Sequence, residues 1–269
     1  MENRDLGSVF DAAAATFAEW TPLLWDRIGR ATVDAAAPAP GAHVLDACCG
    51  NGAATLPAAR AVGPDGRVDG VDLANRLLDE GKSRAAEAGL TNATFHNADV
   101  TTWNHPDGGY DTVFCLFGIF FLPDMDAGGA HLLSNLRPGG TLAVTTWAPD
   151  GIDALIDPFF AAVRAEVGDR ESDEGTRAIQ AARARVDDAE GLSRWLTDLG
   201  AADVSVREHT LDIPVTPELG WSFVTGAGPR RLLNGLDDHA VTAIRERYLR
   251  SFTLDVLSAR YLIGQARRA

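Results

Sequence analysis

Three carboxylates each sit at or near the end of a short apolar run in the first hundred residues: Asp46 in AHVLDACCGNG (42–52), Asp72 in VDGVDLA (68–74) and Asp99 in NADV (97–100). An ionised carboxyl is an acceptor-only group with two oxygens, suited to paired hydroxyls, an amine or an ammonium. Gly50 and Gly52 form a turn between the first run and a helix-prone segment. Gly-x-Gly lets a ligand approach the backbone closely, and the helix start that follows offers unpaired amides. Asp72 follows Gly52 by twenty positions, a spacing that brings a carboxylate at the tip of the neighbouring parallel strand to both hydroxyls of a ribose. The chemistry these residues suit is nucleoside binding.

The loop narrows the choice of nucleoside. A nicotinamide-binding turn completes Gly-x-Gly-x-x-Gly with a third small residue, and that position here is Thr55. Asp46 lies where a pyrophosphate would meet it as a like charge. A ligand with an ammonium group suits Asp46 better. S-adenosylmethionine carries an adenosine, an amino acid head and a sulfonium, and has no phosphate.

The chain resembles the class I S-adenosylmethionine-dependent methyltransferases, in particular the ubiquinone and menaquinone biosynthesis C-methyltransferase group. The stretches that carry the resemblance are VLDACCGNG, GRVDGVDLA, the NADV ending at Val100, GGYDTVFCLFGIFFLPD and LRPGGTLAVTTW, in family order across 42–147. The resemblance implies a Rossmann-like, doubly wound, seven-stranded and mostly parallel sheet with helices on both faces. It implies that Asp46 reaches the methionine ammonium and that Gly50 and Gly52 bring the backbone to the cofactor. Asp72 would hold the ribose, Leu73 would lie on one adenine face, and Asp99 with the Val100 amide would meet the adenine edge. Cys48 stands where the family has the first glycine of its turn and reads as small and packed. Cys115 and Leu116 fall where the family surrounds the amino acid moiety, and Phe117 near the methyl group. Arg137-Pro138-Gly139-Gly140 reads as a helix stop and tight turn.

The elements that position these residues follow from periodicity. Residues 5–36 read as two short helices broken near Thr21-Pro22, and the Ala-Pro-Ala-Pro run at 37–40 stops the second. From 43 onward strands (43–47, 67–72, 92–97, 110–116, 140–147) alternate with helices (52–62, 74–89, 126–136), the pattern of a parallel doubly wound sheet. Residues 151–200 read as helices with a polar break at 168–175, followed by a strand at 204–215, a helix in HAVTAIRERYLR and a last strand within 254–268. The expected layout is an N-terminal helical cap (1–40), a cofactor-binding core (41–150) and a C-terminal half (151–269) with a helical insertion on the substrate side. All three form one methyltransferase domain.

Trp20, Trp25 and Trp147 are the substrate-side candidates, because rings near a sulfonium give cation–π attraction and shape an apolar pocket. Methyl transfer is an in-line displacement that relies on positioning and desolvation, and it needs a general base only where the acceptor loses a proton. No catalytic residue is assigned, and His131, His209 and His239 read as surface or structural. His43, His96 and His105 show no metal-ligand spacing, so no metal is expected. Glu80-Gly81-Lys82-Ser83 mimics the end of a phosphate loop, but the earlier glycine position holds Arg76.

Composition sets the outer bounds. The 269 residues carry 24 Lys+Arg against 38 Asp+Glu, a net charge of −14 that repels nucleic acid, and the only lysine is Lys82. Three cysteines in apolar segments without framework spacing argue for a reducing, cytoplasmic setting. No segment has the length or character of a signal peptide or a membrane span. The function expected is methyl transfer to carbon or oxygen of a small, largely apolar acceptor of aromatic, polyketide-like or quinone-like kind. A cofactor-bound catalyst of cyclisation or rearrangement that transfers no methyl group, and a nicotinamide oxidoreductase, stand as alternatives. The acceptor and the oligomeric state, homo-oligomer included, stay open.

Overall fold

The computed structural model describes residues 3–104, 108–168 and 174–269. Its centre is a seven-stranded sheet in the order β3-β2-β1-β4-β5-β7-β6. The strands are β1 (His43–Ala47), β2 (Arg67–Asp72), β3 (Ala93–Asn97), β4 (Tyr110–Leu116), β5 (Leu136–Trp147), β6 (Ala202–Pro214) and β7 (Val256–Arg267). The first five pair in parallel, while β7 runs antiparallel to both β5 and β6. Val44, Leu45 and Ala47 are fully buried, as expected of a central parallel strand covered on both faces.

The helices are α1 (Asn3–Trp20), α2 (Asp26–Ala36), α3 (Thr55–Val62), α4 (Asn75–Glu87), α5 (Met125–Ser134), α6 (Asp153–Val167), α7 (Glu174–Ala184), α8 (Ala189–Asp198), α9 (Pro217–Gly226) and α10 (Asp238–Ser251). Short 3-10 turns follow β4 (Ile119–Phe121) and α9 (Gly228–Leu233). The stretch between β6 and β7 is thus α9, a 3-10 turn and α10, the last covering the helix expected in HAVTAIRERYLR. Among the described residues no helix is long and apolar enough to cross a membrane.

Two expectations are corrected. The helix does not break at Thr21-Pro22, because a π turn (Thr21–Trp25) joins α1 to α2 without interruption. Pro22 has no N–H to give to the preceding turn. One residue more is taken into the coil, and the Asp26 N–H bonds Thr21 O, five positions back. Arg137–Gly140 likewise is not a turn before a strand. It lies inside β5 as a bulge, since Tyr110 pairs with Leu136 and Thr112 with Thr141. Of the polar break at 168–175, Gly168 and Glu174-Gly175 flank α6 and open α7; residues 169–173, like His105, lie outside the described residues.

Candidate functional site

Strand order reverses between β1 and β4, and in a doubly wound sheet the crevice at such a point, beyond the carboxyl ends of the strands, is where ligands sit. A cavity of about 360 Å³ opens there. Asp46, Asp72 and Asp99 line it from the ends of β1, β2 and β3, and Trp25, Phe117 and Trp147 line it from the other direction.

Asp72 is held by the backbone on both oxygens: the Gly50 N–H donates to Oδ2 and the Ala74 N–H to Oδ1, each at 2.9 Å. The first of these bonds ties the glycine turn to the tip of β2. Each oxygen keeps a second lone pair for a ligand. Burial pushes the Asp72 carboxyl above its usual range, and the amide bonds pull against that shift. Leu73 lies beneath α1, where a Cβ on Gly7 would come within 2.9 Å of Leu73 O. At the end of β3 the Asp99 Oδ1 accepts from the Thr101 N–H at 2.9 Å and from Thr101 Oγ1 at 2.7 Å. Leu73, Asp99 and Val100 all line the cavity.

Asp46 is only 1% exposed. Thr55 Oγ1 donates to its Oδ2 at 2.6 Å. Burial raises its pKa to about 7 despite that bond, because a carboxylate withdrawn from water without a cation favours the neutral form. Thr55, notable in the sequence only for not being glycine, is therefore the partner of this carboxyl.

The glycine turn divides its labour. Cys48 adopts φ +59, a left-handed conformation that costs an L-residue roughly 1–2 kcal/mol and accounts for the family's glycine here. Its hydrogen bond with Cys115, and then burial, push the Cys48 thiol well up, which leaves it un-nucleophilic. Cys48, Gly50 and Leu116 line the cavity. Cys115 does not: it is fully buried behind Cys48. Gly52 also stands apart from the cavity. A Cβ there would fall 2.5 Å from Leu56 Cδ1 and 3.0 Å from Phe95 Cζ, so Gly52 is required by packing against β3 and α3 rather than by ligand approach.

The aromatic candidates divide in the same way. Phe117 and Trp147 stack at 4.0 Å between centroids, and Trp25 meets them at 5.7 and 6.0 Å. Trp20 does not reach the cavity. Its ring is 1% exposed, it packs edge-on against Phe223, and its Nε1 donates to Leu219 O and Ser222 Oγ at 3.1 and 3.0 Å. It anchors α1 to α9. None of His131, His209 and His239 lines the cavity; His131 Nε2 lies 2.7 Å from Trp103 O, and His209 stacks on Tyr261.

Residues 44–140 match the family model described as a methyltransferase domain. Over those residues the chain is similar to S-adenosylmethionine-dependent methyltransferase domains. Over 143 residues it is 33% identical to aklanonic acid methyltransferase of Streptomyces sp. (strain C5), a match covering 53% of this chain and 65% of that protein. Over 124 residues it is 33% identical to demethylmenaquinone methyltransferase of Listeria monocytogenes serotype 4a, covering 46% of this chain and 52% of that protein. The chain thus spans between half and two thirds of the length of these relatives. The crystal structure of YcgJ from Bacillus subtilis shares the fold with a TM-score of 0.57 at 17% identity, covering 90% of this chain and 99% of that one.

The cavity fits S-adenosylmethionine in its donor set: three carboxylates suit hydroxyls, an amine and an ammonium, and would disfavour a phosphate. The cavity is also lined by residues that sequence reasoning missed. Asp153, Ile156, Asp157 and Phe160 of α6 line it together with Thr176, Ile179, Gln180 and Arg183 of α7. Both sets follow the i, i+3, i+4, i+7 spacing of one helical face, and Arg183 pairs with Asp153 at 3.0 Å. The period was present in the sequence, but it marks any amphipathic helix and does not mark a cavity.

Proposed function

We propose that this protein transfers a methyl group from S-adenosylmethionine to carbon or oxygen of a small, largely apolar acceptor. The observation that carries the reading is Asp72, whose two oxygens are each fixed by one backbone amide at the rim of the cavity and each keep a lone pair for the ribose hydroxyls. Leu73 supports one adenine face, and Asp99 and the Val100 amide meet the adenine edge. Asp46 takes the methionine ammonium, while Cys48, Gly50 and Leu116 shape the wall along the amino acid chain. Bound there, S-adenosylmethionine would supply the electrophilic methyl group.

The chain's own part is to orient and to dry. Phe117, Trp147 and Trp25 make an aromatic wall that stabilises positive charge through ring faces and excludes water from the transfer. In-line positioning of an acceptor against this wall removes much of the entropic barrier. The acidic balance of the chain favours a small-molecule acceptor over nucleic acid. Aromatic, polyketide-like and quinone-like molecules suit the wall, which supports a role in secondary or quinone metabolism; the setting proposed is the cytoplasm. Residues 41–150 bind the cofactor, and 1–40 together with the helices of 151–269 close the acceptor side.

Isothermal calorimetry tests the reading. S-adenosylmethionine and S-adenosylhomocysteine give saturable heat and NADH gives none; binding of the dinucleotide alone overturns the proposal.

A further inference from the structure

On the S-adenosylmethionine reading above, sheet order divides the cavity into a cofactor half and an acceptor half. Asp46, Asp72 and Asp99 line it from the ends of β1, β2 and β3, on one side of the point where strand order reverses. Phe117 and Trp147, from the ends of β4 and β5, line it on the other. α6 follows β5 directly, and α7 packs on the 3-10 turn Ile119–Phe121 that comes just after Phe117. The cavity face of α6 and α7 therefore belongs to the acceptor half.

That face carries hydrogen-bond donors with capacity to spare. A guanidinium presents five N–H donors in a planar fork, and Arg183 spends one side-chain bond among the described residues, from Nη2 to Asp153 Oδ1 at 3.0 Å. Both members of this ion pair line the cavity, so the guanidinium lies at its wall. The two side chains are 24% and 34% exposed, which leaves them within reach of a ligand. Gln180 lines the cavity one helical turn before Arg183, on the same face of α7. Its amide has no hydrogen-bond partner among the described residues.

Charge decides what kind of oxygen these donors take. Among the described lining residues the three cofactor-side carboxylates, with Asp153 and Asp157, outnumber the guanidiniums of Arg183 and Arg231. An ionised carboxylate brought to Arg183 would meet Asp153 as a like charge, inside an acidic cavity of an acidic chain. A neutral carbonyl accepts the same N–H bonds without that repulsion. We infer that Arg183, with Gln180 beside it, donates hydrogen bonds to an uncharged carbonyl oxygen of the acceptor, and so selects ketone- or quinone-bearing molecules over hydrocarbons and over carboxylates. Sites built to bond an oxygen reject analogues that lack it, because their own polar groups then go unpaired.

The test compares three probes with one bicyclic body: 1-tetralone, which carries a carbonyl, tetralin, which carries no oxygen, and 1,2,3,4-tetrahydro-1-naphthoate, which carries a carboxylate. Calorimetry on the intact chain loaded with S-adenosylhomocysteine finds tetralone bound about tenfold more tightly than either of the others, the worth of one hydrogen bond to a charged group. Arg183→Met keeps the aliphatic stem, brings tetralone down to tetralin, and changes tetralin affinity less than about twofold. Arg183→Lys, which still donates, lies between. An ion pair that only holds α7 on α6 would make Arg183→Met weaken all three probes alike, and that result overturns the inference. Equal affinity of the wild-type chain for tetralone and tetralin overturns it too, as does a preference for the carboxylate. These wild-type comparisons decide the matter even where a variant fails to fold. Parity of the probes on the loaded protein sinks this inference alone, whereas failure to bind S-adenosylhomocysteine at all sinks the cofactor reading and takes the inference with it.

Discussion

Thr55 Oγ1 lies 2.6 Å from Asp46 Oδ2, and this neutral donor is the hydrogen-bond partner of a carboxyl whose pKa burial has raised to about 7. The pair holds a group that is half-ionised near neutrality at the place proposed for an ammonium. An ammonium beside it favours the carboxylate and lowers that pKa.

The affinity for S-adenosylhomocysteine therefore rises as pH increases through about 7, and near pH 6.5, an assay condition about half a unit below it, binding releases a proton. Calorimetry in two buffers of different ionisation enthalpy reads that proton directly, and Asp46→Asn abolishes both the release and the pH dependence. For the free protein the sign is opposite. A folded-state pKa raised from 3.8 to about 7 stabilises the fold below the lower value, and that contribution is lost as pH rises through the upper one. Stability of the ligand-free chain falls across this window, and less steeply in Asp46→Asn.

Asp72→Ala removes the partner proposed for the ribose and also the acceptor for the Gly50 N–H. Two hydrogen bonds to a charged group are together worth about 3 kcal/mol, so cofactor affinity drops roughly a hundredfold. Asp72→Asn keeps an acceptor oxygen for one amide and loses less. The fold survives both changes, since Asp72 sits at the strand tip, and circular dichroism with an unchanged unfolding transition checks that.

Gly52→Ala acts on the fold instead. The residue holds φ +87, and a methyl group there meets Leu56 Cδ1 at 2.5 Å, so strain and overpacking combine to cost about 2–4 kcal/mol. Chemical denaturation measures it. Gly50→Ala finds its nearest neighbour at 3.6 Å and costs only the conformational term, about 1–2 kcal/mol, while narrowing the space left to a ligand.

These two glycines show what the sequence conveyed and what it did not. A Gly-x-Gly turn after an apolar run points to a site at the end of β1, and alternating strands and helices give a parallel, doubly wound sheet around it, because both are local patterns with one physical meaning. Which glycine faces ligand and which faces Phe95 is decided by a residue more than forty positions away, and nothing local records that. Trp20 and Trp25 differ for the same reason: five residues apart, they are separated by a π turn whose extra residue shifts helical phase, so a reading that expected a break at Pro22 had no means to tell the anchor from the wall. The helical period of α6 and α7 is present in the sequence, but that both faces meet one cavity is not.

The link between α4 and the π turn provides the last test. Arg84 bonds Asp26 through two short contacts and the Asn51 carbonyl through a third, with its side chain about one fifth exposed. A pair in which Nη2 holds the carboxylate and Nη1 a backbone carbonyl keeps its geometry better than an isolated surface ion pair. Arg84→Met leaves the methylene stem to pack but frees Asn51 and Asp26 together, at a cost of about 1–2 kcal/mol. The larger effect falls on the site, because Trp25 stays stacked on Phe17, which lies over Gly50, only while Thr21 is docked on Asn51 and Asp26 on Arg84. Arg84→Met accordingly weakens S-adenosylhomocysteine binding several-fold although Arg84 does not line the cavity. High salt mimics the substitution in the wild-type chain and has little further effect in the variant. Equal salt sensitivity of the two proteins, measured by calorimetry, would show that this ion pair does not position the roof of the cofactor site.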